Sequence, residues 1–116
     1  MMQAFNVTRQ QTLASVLMVA DSLLQSLIGL MGRPSLQTGH GLWIVPCQSV
    51  HTFWMRFTID VVFLDKHRRV IHLIEGLRPF RISKHLSRAG SVIELPANAI
   101  RKSGTRIGDE IRIAQA

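Results

Sequence analysis

Short apolar runs, separated by turn-forming and charged residues, recur along the whole chain. The run at residues 12–20 contains a near-continuous apolar stretch, which is typical of a buried strand. The charged residues 65–69 separate two further runs, and this spacing predicts a β-hairpin. Extended structure is predicted for residues 5–8, 12–20, 42–45, 50–57, 59–64, 70–74, 91–95 and 111–114. A set of about seven short strands predicts a mainly β fold, either a small β-barrel or a jelly-roll-like sandwich.

One segment has helical rather than extended spacing. Ser22 and Gln25 have the spacing of a capping box, which marks the start of a helix. Gly32 and Pro34 then supply the signals that end one. The apolar stripe between them comprises Leu23, Leu24, Leu27, Ile28, Leu30 and Met31. The sequence therefore predicts one N-terminal α-helix at about residues 22–32 inside a single domain of residues 1–116.

The alternation of large side chains is clearest at residues 50–57. If this run is a strand, His51, Phe53 and Met55 share one face. His51 then lies on an apolar face, where two interpretations stay open. It is either a core histidine with hydrogen-bonded ring nitrogens or part of the wall of a pocket.

The apolar residues 12–31 are long enough to be mistaken for a membrane span. Asp21 lies at the centre of that stretch, where a charge costs about 2.5–3.5 kcal/mol on insertion scales. A signal peptide is not predicted, because Arg9 alone supplies the basic region and residues 19–22 form a poor cleavage site. We therefore expect no membrane span and a cytoplasmic location.

Composition excludes some classes of protein. Hydrophobic residues make up 47% of the chain and charged residues 18%, which excludes a disordered chain. Cys47 is the single cysteine, so no intramolecular disulfide can form. The net charge is +7, with 11 arginines against 3 lysines. This excess is either a solvated basic surface or a means of attracting an anionic partner.

Several blocks of sequence carry a family resemblance. They are residues 29–33 (Gly-Leu-Met-Gly-Arg), 41–47, 50–57, 59–65, 92–97 and 104–109. In this order the blocks resemble the domain-of-unknown-function family 192, a small family of bacteria and archaea, from about residue 6 to residue 113. The resemblance implies a compact β-barrel or jelly-roll-like domain with one helix. It implies no reaction, because the role of the family is not established.

Three positions depart from the usual family pattern. Thr58 stands where the family often has proline, and it can keep the extended conformation. Residues 66–69 lack the glycine usual in this turn, so either His67 takes a positive φ or the turn has another form. Asn98 stands where the family often has glycine, and asparagine tolerates the left-handed conformation that glycine would adopt.

The preferred hypothesis is a non-catalytic binding module for a small ligand or a protein. Its predicted ligand-binding residues are concentrated in one block of large and polar side chains. They are His51, Trp54, Arg56 and Asp60, with Arg33 after the helix. Asp60 and Glu94 interrupt apolar runs, and an acid in that setting needs a partner. We expect ion pairs to Arg56, Arg33 or Arg81, which either fix strand register or form a polar cluster at a pocket.

An enzyme is the first alternative. Cys47 and His51 are four residues apart, and a turn at Pro46 could bring the thiol to the imidazole as a nucleophilic pair. A pair of histidine and acid could also serve hydrolysis. A small buried thiol is the ordinary interpretation of Cys47. No metal site is assigned, because no spacing typical of metal ligands is present. No catalytic residue and no cofactor is assigned either.

Anion binding is the second alternative. Residues 76–93 contain no acid, and they include the candidate anion-binding residues Arg78, Arg81, Lys84 and Arg88. This segment is either a solvated loop or a site for phosphate, nucleic acid or an acidic peptide. Phe80 is the one aromatic residue among these bases, which is little support for stacking on single strands. No motif indicates nucleic acid, and a monomer or weak dimer is expected.

Overall fold

The computed structural model describes residues 1–115, without the side chains of Leu23 and Leu27, so these two members of the predicted stripe lie outside the described residues. The described chain contains seven strands and two short helices. In chain order they are β1 (Met2–Asn6), β2 (Gln11–Ala20), α1 (Leu23–Ile28), β3 (His40–Ile44), β4 (Ile59–Leu64), β5 (Val70–Leu77), β6 (Ser91–Pro96), α2 (Ala99–Ser103) and β7 (Ile111–Gln115).

All seven strands belong to one sheet that curls into a half-barrel, with the order β5-β4-β6-β3-β2-β1-β7. The predicted mainly β fold is confirmed. Neighbouring strands are antiparallel except β2 and β3, which run parallel. A parallel pair needs a crossover connection, and the chain makes it through α1 and the following loop. Neither helix in the described chain has the length and apolarity that crossing a membrane requires.

Both faces of the central strands are buried, which explains the nearly uniform apolar run of β4. Two hydrophobic clusters cover the opposite faces of the sheet, and alternate residues of β4 point into each. Val62 and Leu64 belong to one, which we call the inner cluster, and Val61 and Phe63 belong to the other, the outer cluster. Side chains from residues 45–57 and 86–89, together with Leu30, complete the outer cluster. The candidate site lies on the segments that cover the outer cluster.

The two edge strands of the half-barrel meet at one corner. The Ile111 N–H donates to the carbonyl oxygen of Arg68 at 2.9 Å, and the Gly108 N–H donates to that of Val70 at 2.8 Å. Beside them lies the buried carboxylate of Asp109, whose Oδ2 accepts from Asn6 Nδ2 and Arg9 Nε, each at 3.0 Å. This corner network, formed by Asn6, Arg9 and Asp109, joins β1 to the turn that precedes β7.

The helix prediction is correct in its start but wrong in length and number. Ser22 caps α1, because its Oγ accepts from the Gln25 N–H at 3.1 Å. The helix ends at Ile28, since Gly29 takes a φ of 47°, before the predicted end near residue 32. The second helix, α2, was not predicted, because five residues are too few to show helical periodicity.

Residues 50–57 form a loop, so the strand predicted there is wrong. Trp54 has a φ of 64°, which breaks the alternation, and the loop bonds to another loop rather than to the sheet. In the β4–β5 turn the positive φ falls on Arg68 (63°) and not on His67. Asp65 Oδ1 instead fixes this turn by accepting from the His67 and Arg69 N–H groups. Asn98 is left-handed with a φ of 77°, as predicted.

Candidate functional site

Two loops lie side by side over the outer cluster, residues 50–56 and residues 78–83. Backbone hydrogen bonds join them: the Thr52 N–H donates to the Arg81 carbonyl oxygen at 2.8 Å, and the Ser83 N–H donates to the Val50 carbonyl oxygen at 2.8 Å. An isolated bridge also pairs His51 with Ile82. The paired loops therefore form a defined surface although neither is a regular strand.

The side chain of Thr52 fastens the two loops from below. It is fully buried, and its hydroxyl donates to the Arg78 carbonyl oxygen at 2.6 Å. The same oxygen accepts from the Arg81 N–H at 2.9 Å. One hydroxyl thus satisfies polar groups on both sides of Phe80, which fixes the direction of that residue.

Large apolar side chains project from the paired loops into solvent. The exposed fractions of Phe53, Trp54 and Phe80 are 41%, 66% and 52%, and that of Ile82 is 68%. The rings of Trp54 and Phe80 meet edge to face, with centroids 5.5 Å apart. Phe53 stacks on the His51 ring at 5.5 Å. We call Phe53, Trp54, Phe80 and Ile82 the aromatic patch.

Two residues of the patch hold unusual backbone conformations. Trp54 has a φ of 64° and Phe80 a φ of 60°, a region that bulky residues rarely adopt. Such strain costs about 1–3 kcal/mol at each position and persists only where the surroundings enforce it. Here the Trp54 carbonyl oxygen accepts from the Gly32 N–H at 3.1 Å, and the Phe80 N–H donates to the Thr52 carbonyl oxygen at 3.0 Å.

Three arginines lie on the loops that carry the aromatic patch, and none of them pairs with a carboxylate of the described residues. Arg56, Arg78 and Arg81 are exposed on the same two loops. Within residues 1–115 the ion pairs are Arg9–Asp109 and Arg69–Glu110, and neither involves the loops. The ion pairs expected for Asp60 and Glu94 are therefore not formed there. The other predicted basic residues are also exposed: Lys84 and Arg88 lie further along the second loop, and Arg33 follows α1.

Asp60 lies apart from the loops. Its carboxylate is buried and accepts from two backbone N–H groups, Gly76 at 3.0 Å and Ile100 at 2.9 Å. These bonds attach α2 and β5 to β4. The structure therefore brings together His51, Trp54 and Arg56 of the predicted block, whereas Asp60 has a position that serves the fold.

A small cavity of about 40 Å³ lies beside the patch, between the end of α1 and the loop after β3. Its walls are mostly apolar, and its polar side chains belong to Ser26, Cys47, Ser49, His51 and Glu94. Ile28 and Ser49 are exposed at the cavity, which places its mouth at the surface. The sequence showed Glu94 as an acid among apolar residues, but it could not show that α1 covers it.

Glu94 is the unusual group in this cavity. It is 3% exposed, and its neighbours across the sheet are Leu42 and Val61. Among the described residues, no hydrogen bond reaches its carboxyl oxygens. Burial raises the pKa of Glu94 to about 8, so the side chain is mainly a neutral acid near pH 7.

The environment of Cys47 does not favour a thiolate. Burial raises the pKa of the Cys47 thiol, the hydrogen bond to Ser49 lowers it, and the Glu94 carboxyl raises it further, with a net increase. The thiol donates to the Ser49 carbonyl oxygen at 3.0 Å. The His51 Nδ1 accepts from the Phe53 N–H at 3.2 Å. Within residues 1–115, no three histidine, cysteine or acidic side chains are grouped as a metal site would require.

The model of the domain-of-unknown-function family 192, described as "Uncharacterized ACR, COG1430", matches residues 5–113. The chain belongs to this family. A UPF0127 protein of Thermococcus sibiricus is 32% identical over 111 residues, which cover 91% of this chain and 71% of that protein. A UPF0127 protein of Pyrococcus horikoshii is 32% identical over 99 residues, covering 81% and 84% respectively. The predicted family is thereby confirmed.

A solved structure supports the fold of this family member. A protein of unknown function from Novosphingobium aromaticivorans superposes with a TM-score of 0.81 at 16% identity, covering 96% of this chain and 82% of that one. At this identity the likeness shows the fold alone.

Proposed function

We propose that this domain is a non-catalytic binding module whose binding surface is the aromatic patch with its surrounding arginines. One observation carries the proposal: Trp54 and Phe80 are held in solvent by strained backbone that buried Thr52 and neighbouring loops enforce. Strained conformations and contiguous exposed apolar groups are both concentrated at functional surfaces. Tryptophan and arginine are also the residues most often responsible for affinity at interfaces.

The charge of the surface indicates the kind of ligand. Arg56, Arg78 and Arg81 carry charge that the described chain does not neutralise, and the sequence as a whole has a net charge of +7. Guanidinium groups bind carboxylate, sulfonate or phosphate oxygens in pairs of hydrogen bonds. We therefore assign to this surface a ligand that combines a flat or apolar face with negative charge.

The hydrolase alternative has less support. A raised thiol pKa leaves Cys47 mainly protonated near pH 7, and the thiolate is the nucleophilic form. Glu94 is mainly neutral at that pH, so it is a poor general base. Asp60, the other candidate acid, already accepts two backbone hydrogen bonds.

Binding of an anionic polymer is a distinct candidate that the basic segment supports. Arg78, Arg81, Lys84 and Arg88 are all exposed along it. A polymer would need Lys84 and Arg88 as well as the patch, whereas a compact ligand would need only the patch. Comparing the Arg88→Ala and Arg81→Ala variants with one compact anion and one polyanion separates the two.

The test uses 8-anilinonaphthalene-1-sulfonate, a compact aromatic anion. Titration of the ¹⁵N-labelled protein should shift the Trp54 indole N–H signal and leave that of Trp43, which lies on the inner side of β3, unchanged. Trp54→Ala and Arg81→Ala should each weaken binding by roughly tenfold, as the loss of one good contact predicts. Arg88→Ala should bind as the wild type does.

The matched control is Ile107→Ala, which removes an equally exposed apolar side chain (64%) from the turn before β7. It should bind the probe unchanged. Equal binding by the Trp54, Arg81 and Ile107 variants would contradict the proposal, because the dye would then be reporting apolar surface in general. If Arg88→Ala weakens binding of a polyanion such as heparin as much as Arg81→Ala does, the polymer interpretation is favoured.

A further inference from the structure

The Glu94 cavity, defined by its lining residues Ser26, Cys47, His51 and Glu94, lies outside the aromatic patch and has its own chemistry. Its volume of about 40 Å³ exceeds the roughly 10–15 Å³ that one water needs. One oxygen of Glu94, Oε1, faces the turn at Gly29, where the Cβ of any larger residue would lie 3.9 Å from it. The carboxyl group therefore lies directly beneath the end of α1.

The position of Glu94 contradicts the usual chemistry of a core. The central strand β6 is flanked on both sides, and the residues paired with Glu94 are the apolar Leu42 and Val61. A leucine there would agree with every neighbour, whereas a carboxyl group leaves polar atoms without a partner in the described chain. Proteins break such local rules chiefly at functional sites.

The groups around Glu94 define what can bind it. The titratable side chains that face the cavity are Cys47 and His51, both from the loop after β3. α1 and the following residues contribute Ser26 and apolar side chains, and β3 contributes Ile44. With few polar groups to replace water, a charged ligand group would be costly to bury there.

A neutral carboxyl group offers one O–H donor and one carbonyl acceptor side by side. A primary carboxamide offers the complementary pair, a carbonyl acceptor beside an N–H donor. We propose that the Glu94 cavity binds a primary carboxamide, with the Glu94 O–H donating to the amide oxygen and the amide nitrogen donating to the other Glu94 oxygen. This inference stands on the cavity and does not depend on binding at the aromatic patch.

The probe for the test is propionamide, followed through the backbone amides of Gly29, Val50 and Glu94 in the ¹⁵N-labelled protein. We expect saturable shifts at a pH well below the Glu94 pKa of about 8, and weaker binding above it, because a carboxylate cannot donate. Methyl propionate, which lacks the N–H donors, should bind more weakly. Propionate, which has the same size but is charged, should not produce saturable shifts.

Variants separate the carboxamide site from other causes. Glu94→Gln keeps a neutral donor and acceptor, so it should bind propionamide without the pH dependence. Glu94→Leu should lose roughly tenfold or more in affinity, while Glu75→Leu, at an exposed position on β5, should bind normally. Trp54→Ala should also bind normally, so failure of this proposal and failure of the patch proposal give different results.

Two further outcomes are informative. Tighter binding of N-acetylglutamine N-methylamide than of propionamide would support the proposal and indicate that the carboxamide belongs to a protein side chain. Equal binding of the two would support the proposal with a small molecule as the source of the carboxamide. If the wild-type protein shows no saturable shift with either amide, the cavity holds only water and the proposal is overturned. The same shift with propionate would also overturn it, because the site would then not distinguish a carboxamide.

Discussion

Trp54 has the backbone conformation of a glycine and the side chain with the largest ring system. A residue that served the fold alone would not need both. The left-handed conformation at 64° turns the indole away from the outer cluster, so that 66% of Trp54 is exposed. At the scale of single residues, Trp54 and Phe80 are thus kept in strained conformations by hydrogen bonds of the neighbouring backbone and of Thr52, and not by burial of their own side chains.

Trp54→Gly should separate this strain from function. Glycine adopts the left-handed region freely, so relief of strain should offset the lost contact with Phe80 and the added flexibility. We expect the free energy of unfolding in urea to change by less than about 1 kcal/mol while probe binding is lost. Destabilisation well beyond this would show instead that the indole supports the loops.

Glu94 predicts an unusual dependence of stability on pH. Its pKa rises from 4.5 to about 8 on folding, so between these values the folded protein holds a proton that the unfolded chain has released. The contribution of Glu94 is fully present below pH 4.5 and is lost as the pH rises towards 8. The slope has an upper limit of about 1.4 kcal/mol per pH unit.

Glu94→Gln should remove this slope, because the amide does not titrate. The measurement is the free energy of unfolding in urea at several pH values between 4.5 and 8, taken as the difference between variant and wild type. Contributions from side chains that the two proteins share cancel in the difference. If the two proteins show parallel curves, Glu94 does not hold a proton in the folded state.

At the scale of elements, the paired loops behave as one unit because Thr52 connects them. Thr52→Val keeps the shape but removes the hydroxyl, which leaves the Arg81 N–H and the Arg78 carbonyl oxygen without their closest side-chain partner. We expect a loss of about 1–3 kcal/mol in stability. Amide hydrogen exchange at Phe80 and Arg81 should become faster, and probe affinity should fall.

The control for that change is Thr12→Val on β2, where the hydroxyl is exposed. It makes the same chemical substitution without removing a buried bond, so stability and exchange should be almost unaffected. If the Thr12 and Thr52 variants lose the same amount, the effect comes from the substitution itself and the hydroxyl of Thr52 does not fasten the loops.

The amino-acid pattern predicts the strands well where burial on both faces or clear turns determine them, as in β4 and β5. The strand predicted at residues 50–57 is wrong, because alternation of large side chains does not reveal which partner the backbone will bond to. That partner, the loop at residues 78–83, is distant in sequence and was itself predicted only as irregular. The short helix α2 lacks the length at which periodicity can be seen.

Only part of the candidate site could be predicted, because the sequence shows which residues are neighbours along the chain but not which distant residues meet. His51, Trp54 and Arg56 are neighbours in sequence, so their proximity follows from any fold. Glu94 joins His51 only because β6 lies beside β3 in the sheet. Asp60 looked equivalent to Glu94, but the two acids point to opposite faces, and backbone N–H groups are available only to Asp60.

At the scale of the whole molecule, the corner network holds the turn before β7 against β1, beside the point where the two edge strands meet. Burial alone would raise the pKa of Asp109, but hydrogen bonds from Arg9, Asn6 and the Arg106 N–H lower it below its ordinary value of 3.8. Its contribution to stability is therefore present above pH 3.8 and is lost as the pH falls through the lower folded-state value. Asp109 and Glu94 thus act on stability in opposite pH ranges.

Asp109→Asn should weaken this corner. The amide oxygen can take the place of Oδ2, but it is uncharged and accepts less strongly from Asn6, Arg9 and the Arg106 N–H, so we expect a loss of about 1–2 kcal/mol near pH 7. The loss should shrink in acid, where the wild-type carboxylate is also neutralised. Asp21→Asn, at an exposed position before α1, is the control, and an equal loss there would mean that overall charge rather than the network is responsible.

The order of strands has a consequence for how the chain is made. β1 lies between β2 and β7, so one side of the first strand stays open until the last strand has been synthesised. The side-chain partners of Asn6 are also made late, because Thr105 and Asp109 lie just before β7, 99 and 103 residues beyond Asn6. A nascent chain that has reached β6 therefore carries an unprotected edge, and we expect native structure to form in one step when β7 emerges from the ribosome.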